Sequence, residues 1–137
     1  MRGDAESVRA LNQRFYEALS KQNMLAMEEI WSHDPNVRCV HPGLGLIEGW
    51  DAIRNSLRDL LNRSICMTVI PEEPRVTIVG PAAIVTCRES VSSFTLDGST
   101  TTAAQATHVF EKREGRWQLI HRHASALGGE EPPAGPH

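Results

Sequence analysis

The chain has no surplus of positive charge. Its 14 Lys and Arg stand against 17 Asp and Glu, for a net charge of −3 and an isoelectric point near 6.1. No basic field is left to hold a phosphate backbone, which excludes a nucleic-acid partner. Long hydrophobic runs are missing too. Nothing approaches the ~18 apolar residues of a membrane-spanning helix, and Met1-Arg2-Gly3-Asp4 lacks the apolar stretch of a secretory signal. A cytoplasmic protein with no membrane partner is expected. Cysteine is sparse: Cys39, Cys66 and Cys87 are odd in number, have no short paired spacing and fall in apolar strand-like runs. They read as buried free thiols. No internal repeat is found.

What is present is 40% hydrophobic and 23% charged in 137 residues, enough for one globular domain with a real core. That domain is expected over residues 1–127. Residues 128–137, Gly-Gly-Glu-Glu-Pro-Pro-Ala-Gly-Pro-His, have nothing to bury and read as a disordered tail. Over residues 5–20, Val8, Leu11, Phe15, Ala18 and Leu19 recur at helical spacing and predict an amphipathic first helix. Asn23 caps a short second helix carrying Met24, Met27, Ile30 and Trp31, which His33-Asp34-Pro35 ends. Val37 to His41 alternates as a strand, with Val37, Cys39 and His41 on one face. After Pro42-Gly43 and a short strand through Leu46-Ile47-Glu48, a third helix runs from Trp50 to Leu61 with Ile53, Leu57, Leu60 and Leu61 on its buried face.

Beyond Ser64 the period changes to that of strands. Ile65–Ile70, Arg75–Val79, Ala82–Phe94, Thr100–Lys112 and Arg116–Ser125 are β-rich runs separated by Pro71, Gly80-Pro81, Asp97-Gly98 and Glu114-Gly115, the last two being hairpin signals. Helices followed by a meandering antiparallel sheet predict an α+β architecture with the helices on one face of the sheet. Ala82-Ala83-Ile84-Val85 is apolar on consecutive residues, so both faces of that strand should be covered. Helices cover one. A second copy of the chain would cover the other, which makes a homodimer the expected assembly.

Three separated segments carry a family likeness: Trp31-Ser32-His33-Asp34-Pro35-Asn36-Val37-Arg38-Cys39-Val40-His41-Pro42, Glu48-Gly49-Trp50-Asp51-Ala52-Ile53-Arg54, and Gly115-Arg116-Trp117-Gln118-Leu119-Ile120-His121-Arg122-His123-Ala124-Ser125. Together they resemble the nuclear transport factor 2-like superfamily, above all its SnoaL-like members and the association domain of calcium/calmodulin-dependent kinase. The resemblance implies a cone-shaped, cystatin-like fold: a curved antiparallel sheet wrapped around the N-terminal helices, with a ligand pocket inside. The pocket's contents then decide the function.

His41 shares the inward face with Val37 and Cys39. Cys39-Val40-His41-Pro42 is similar to the stretch of ketosteroid isomerases that places a catalytic carboxylate before a proline, and a neutral imidazole can take the same proton. His41 is therefore the expected base, if it is not a histidine satisfied by a backbone carbonyl. The isomerase's tyrosine would fall at Phe15. Tyr16, one residue on, is expected on another part of the helix surface, although its hydroxyl keeps it among the pocket candidates. Alternation points His108 inward. By resemblance to the kinase association domain, Arg88 and His108 match pocket arginines, with Arg122 on the same side of the last strand. Such a cationic pocket suits a small anionic or carbonyl-bearing ligand, unless Arg88 is paired with an acid such as Glu89 or Glu48. Trp31 and Trp50 are expected as apolar walls. His121 and His123 share a strand face and raise a metal reading with His41 or His108 as third ligand, but no acid stands beside them on that face. No metal and no cofactor are expected. The functional expectation is a small-molecule pocket of an isomerase, cyclase or dehydratase type of enzyme, with a non-catalytic carboxylate binder or a dimeric association module as alternatives.

Overall fold

The structure is a computed structural model that describes residues 3–63 and 66–128. Among the described residues, three helices, α1 (Asp4–Ser20), α2 (Met24–Ile30) and α3 (Trp50–Arg63), alternate with and precede six strands: β1 (Arg38–Val40), β2 (Leu46–Glu48), β3 (Cys66–Val79), β4 (Ala82–Thr95), β5 (Gly98–Arg113) and β6 (Arg116–Ala126). The strands form one curved, unclosed sheet in the order β2-β1-β6-β5-β4-β3, with only β1 and β6 parallel. This is the expected α+β cone. The tail expected from residue 128 lies, from 129 onward, outside the described residues.

Local chemistry accounts for the elements. The side chain of Asn23 accepts from the Ala26 N–H at 3.1 Å and caps α2. Gly49, at φ +90°, turns the chain into α3 while its N–H donates to the Val37 carbonyl at 2.8 Å, tying the helix entry to the start of β1. Glu114 and Gly115, both at positive φ, make the two-residue turn between β5 and β6. The inner sheet face and the helices share one core built on Phe15, Met27, Ile30, Trp31, Ile53 and Leu57, all fully buried.

In two places the strand pattern departs from expectation. Ile65–Ile70 and Arg75–Val79 read as separate strands, whereas Cys66–Val79 is continuous along β4, with an irregularity between Glu72 and Arg75 and Glu73 at φ 52°. Pro71 is tolerated because β3 is an edge strand, whose outward side needs no donor. On β6, Val109 pairs with His121 but Phe110 pairs with Leu119, so Ile120 is an extra residue in the strand. The bulge reverses the side-chain phase from there onward.

The Ala82–Val85 run divides as alternation requires. Ala83 and Val85 are buried in the core, and Ile84 on the outer face remains 38% exposed in the single chain. Of the cysteines, Cys39 and Cys87 are buried. Cys66, opening the edge strand opposite Phe94, is exposed, which corrects the expectation that all three are inside.

Candidate functional site

A cavity of about 450 Å³ opens between α1, α3 and the inner sheet face. Its walls are mostly apolar, with Leu19 from α1, Leu60 from α3, Met67 and Val69 from β3, and Val91 from β4. Three titratable side chains interrupt that lining: His41, Glu89 and Arg122. Each arrives by a separate device. His41 follows β1 on the inward Val37-Cys39-His41 face, and its carbonyl accepts from the Leu44 N–H at 3.0 Å across the Pro42-Gly43 turn. Glu89 continues the inward Val85-Cys87-Glu89 alternation of β4. Arg122 is turned inward by the Ile120 bulge, since Trp117 and Leu119 also face the core and strict alternation would have sent Arg122 out.

Beneath the cavity the polar groups form one connected chain. Arg122 Nη1 donates to Glu89 Oε2 at 2.6 Å and Nη2 to Glu89 Oε1 at 3.3 Å, a bidentate pair with both residues at most 3% exposed. The Tyr16 hydroxyl donates to the same Glu89 Oε2 at 2.6 Å and lies 3.3 Å from Cys87 Sγ. Arg122 Nη1 also meets His108 Nε2 at 2.9 Å, and His108 Nδ1 meets Asn12 Oδ1 at 2.7 Å. The guanidinium lies over the Phe15 ring, 5.1 Å from its centroid.

These contacts set the charge states. Burial alone would raise Glu89, but the Arg122 charge and the hydrogen bonds from Arg122 and Tyr16 outweigh it and hold the carboxyl below its usual range. For His41, burial first and the Arg122 charge second push the imidazole down to about 4, against a smaller opposing pull from Glu89. His108 is driven well below its ordinary value by burial, Arg122 and His121. Burial raises Cys39 to about 11 and raises Cys87 as well, so neither is a thiolate nucleophile at neutral pH. At pH 7 the site therefore holds one anion, one cation and two neutral imidazoles. The cavity floor has no net charge.

Of the residues singled out from sequence, His41 and Arg122 border the cavity, while His108 and Tyr16 lie in the network below it. Tyr16 corrects the expectation that it faces elsewhere on α1: it is 1% exposed and holds Glu89. Arg88 is not there. Because Val85, Cys87 and Glu89 point in, Arg88 points out, where it is half exposed and lies 3.5 Å from Glu72 on the neighbouring strand. The tryptophans are not cavity walls either. Trp31 is fully buried in the core, and Trp50 stacks under His33 (4.5 Å between centroids, 5° between planes) beside a separate shallow depression. His121 and His123 follow the bulge onto the outer face, so they share no site with the inward His41 and His108. Asn12 was missed, and Glu89 was named only as a possible partner for Arg88. The signal for Glu89 was the β4 alternation, and for Asn12 its place between Val8 and Phe15 on the buried face of α1.

The family model of the SnoaL-like domain matches residues 8–128. The chain belongs to that family. Solved structures agree on the fold of this SnoaL-like domain. It is similar to a proposed dehydratase of the NTF2-like family from Streptomyces avermitilis (25% identity, 90% of this chain and 96% of that one, TM-score 0.85). It is also similar to the CaMKII hub of S. rosetta (28% identity, 93% and 99%, TM-score 0.77). A proposed ketosteroid isomerase from Shewanella frigidimarina, at 23% identity over 85% of this chain and 92% of that one, shares the fold with a TM-score of 0.73. Among curated proteins, the F-box protein SKIP8 of Arabidopsis thaliana is 25% identical over 118 residues, which are 86% of this SnoaL-like domain. The domain spans about half (48%) of that relative's length.

Proposed function

We propose that the cavity binds a small, mostly apolar molecule presenting one neutral carbonyl to His41 and Arg122, and that the bound molecule undergoes proton transfer of the isomerase, cyclase or dehydratase type with His41 as base. One observation carries the reading: an apolar cavity whose lining is interrupted by a compensated Arg122–Glu89 pair and a neutral His41. Pockets of this kind fix orientation with a few polar groups and take affinity from apolar contact. With Arg88 on the outer face, the anionic alternative loses its second cation, and a ligand carboxylate would lie beside Glu89. A carbonyl accepts from Arg122 without adding charge. An imidazole titrating at about 4 is unprotonated at neutral pH and so available as an acceptor. Arg122 stands on the same cavity wall to stabilise the enolate oxygen that develops as the proton leaves.

The test is a thermal-shift panel of neutral ketones, carboxylates and amines on the parent protein and on Arg122→Met. Stabilisation by ketones that weakens in the variant supports the reading. Stabilisation by carboxylates alone returns the site to a carboxylate binder, and no response from any class removes the ligand pocket.

A second reading rests on the outer sheet face. Ile84 lies there in register with Thr77 and Val109, a row without charge, and the likeness to a CaMKII hub at 28% identity adds to it. We infer a homodimer through this face, burying at least ~1,200 Å² in total, in a cytoplasmic protein. Light scattering that finds a monomer at micromolar concentration overturns it.

A further inference from the structure

We propose that Asn12 and His108 are positioning residues: through a single imidazole tautomer they fix the rotation of the Arg122 guanidinium and so determine which of its N–H groups is left for a ligand. The assignment follows from donor and acceptor roles. An arginine nitrogen only donates, so His108 Nε2, 2.9 Å from Arg122 Nη1, must offer a lone pair. A neutral imidazole with its lone pair on Nε2 carries its proton on Nδ1, and Asn12 Oδ1 receives that proton at 2.7 Å. Turning Asn12 over would set its amide hydrogens against Nδ1–H. Moving the proton to Nε2 would set it against Arg122. One arrangement satisfies both contacts, and it is closed at each end by a residue at most 3% exposed.

Packing holds the ring in place. Phe15 meets it edge-on at 4.7 Å, Tyr16 stacks along it at 5.6 Å, and Phe110 closes the third side at 6.1 Å. The charged and titratable groups around it are Arg122 and His121 from β6 and Tyr16 from α1, with Glu89 of β4 on the far side of Arg122. The nearest formal charge is therefore positive, which keeps the ring neutral.

The consequence falls on Arg122. Both Nη1 hydrogens are taken, one by Glu89 Oε2 and one by His108 Nε2, and one Nη2 hydrogen goes to Glu89 Oε1. Nε is buried with no partner among the described residues, and Nη2 keeps a second hydrogen on a residue that borders the cavity. That Nη2 hydrogen is the one held for a ligand carbonyl, a step that rests on the cavity being the ligand site. His108 and Arg122, both named from sequence as pocket groups, thus act in series.

The test needs no ligand, so it fails or succeeds separately from the ketone panel. In the full-length ¹⁵N-labelled chain, long-range ¹H–¹⁵N correlations of the His108 ring, assigned by their loss in His108→Gln, are expected to show the Nδ1–H tautomer unchanged from pH 8 to pH 5. Asn12→Asp places a carboxylate against Nδ1 and is expected to produce the imidazolium at neutral pH. Nε2 then turns from acceptor to donor, and the Arg122 Nη1–H that it had held exchanges faster. His108→Gln retains an acceptor for Arg122 and a donor for Asn12 and is expected to keep the parent exchange rate. His108→Leu, of similar size, lacks the acceptor and is expected to speed exchange by roughly tenfold or more, the equivalent of one hydrogen bond to a charged group. An Nε2–H or doubly protonated ring in the parent overturns the proposal even if every variant misfolds, and so does unchanged Arg122 exchange in a folded His108→Leu.

Discussion

Replacing Glu89 by Gln keeps the size of the side chain and one acceptor but removes the anion paired with Arg122. Glu89 is 1% exposed and accepts three hydrogen bonds, one from Tyr16 and two from Arg122. The variant leaves a guanidinium, itself 3% exposed and without a partner at Nε among the described residues, buried and deprived of its Glu89 counter-charge. Breaking a buried pair from one side costs about 3–5 kcal/mol. The neighbouring cavity admits water, which places the expectation at the lower end, about 3 kcal/mol. Against a total stability of about 5–15 kcal/mol for a domain this is severe, equivalent to a fall in Tm of roughly 10 °C. Urea unfolding at pH 7, with the m-value checked to be unchanged, measures it. Arg122→Met should cost a similar amount by stranding the carboxylate. The double variant Glu89→Gln, Arg122→Met should recover most of the loss, because no lone charge remains. Single variants that each lie within about 0.5 kcal/mol of the parent, or a double variant at the sum of the two, would refute the buried-pair account.

Three further outcomes follow from the same geometry. Tyr16→Phe deletes a 2.6 Å hydrogen bond to a buried carboxylate and should cost about 1.5–3 kcal/mol in the same urea assay; a loss below about 0.5 kcal/mol would mean that Glu89 does not use it. His41 titrates near 6.5 when unfolded and at about 4 when folded, so between those values the unfolded chain holds the extra proton. Its contribution is complete above pH 6.5 and is lost as pH falls toward 4, at up to about 1.4 kcal/mol per pH unit; His108 acts in the same direction, and Glu89 adds a further loss below its ordinary value of 4.5. His41→Leu should flatten the stability curve over that window, and an unchanged curve would contradict the lowered value. Ile84→Arg places a charge in the uncharged outer row and should convert the proposed dimer to a folded monomer in light scattering; a dimer that persists would move the interface elsewhere.

Periodicity was enough to place α1, α3, β4, β5 and β6, and it put His41 and His108 on the correct face because alternation is a local property. Arg88 was misassigned, and Glu89 was given only as its possible partner, for one reason. A family likeness was allowed to orient Arg88 against the alternation of Val85, Cys87 and Glu89, which already required Arg88 to point out. Arg122 is a different case: only the extra residue at Ile120 turns it inward, and a bulge is a relation between two strands that one strand's pattern does not contain. Tyr16 and Asn12 were hidden for separate reasons. Tyr16 lies at the border of the apolar stripe of α1, and whether a border residue is buried depends on how deeply the helix sits in the curved sheet; Asn12 lies on the buried face between Val8 and Phe15, but its partner His108 comes from a distant strand. Pro71 looked like a break because nothing in the run of residues says which strand lies at the edge.

The most direct test of the central claim is deuterium exchange at the carbon next to the carbonyl of 1-indanone, a neutral ketone small enough to enter the cavity, followed by proton NMR in D₂O at pH 7. The account predicts exchange above the buffer rate in the parent, a fall of about 10²–10⁴ in His41→Ala, and no change in Arg88→Ala, whose side chain lies on the outer face. Exchange no faster than in buffer, or exchange undiminished in His41→Ala, would contradict it.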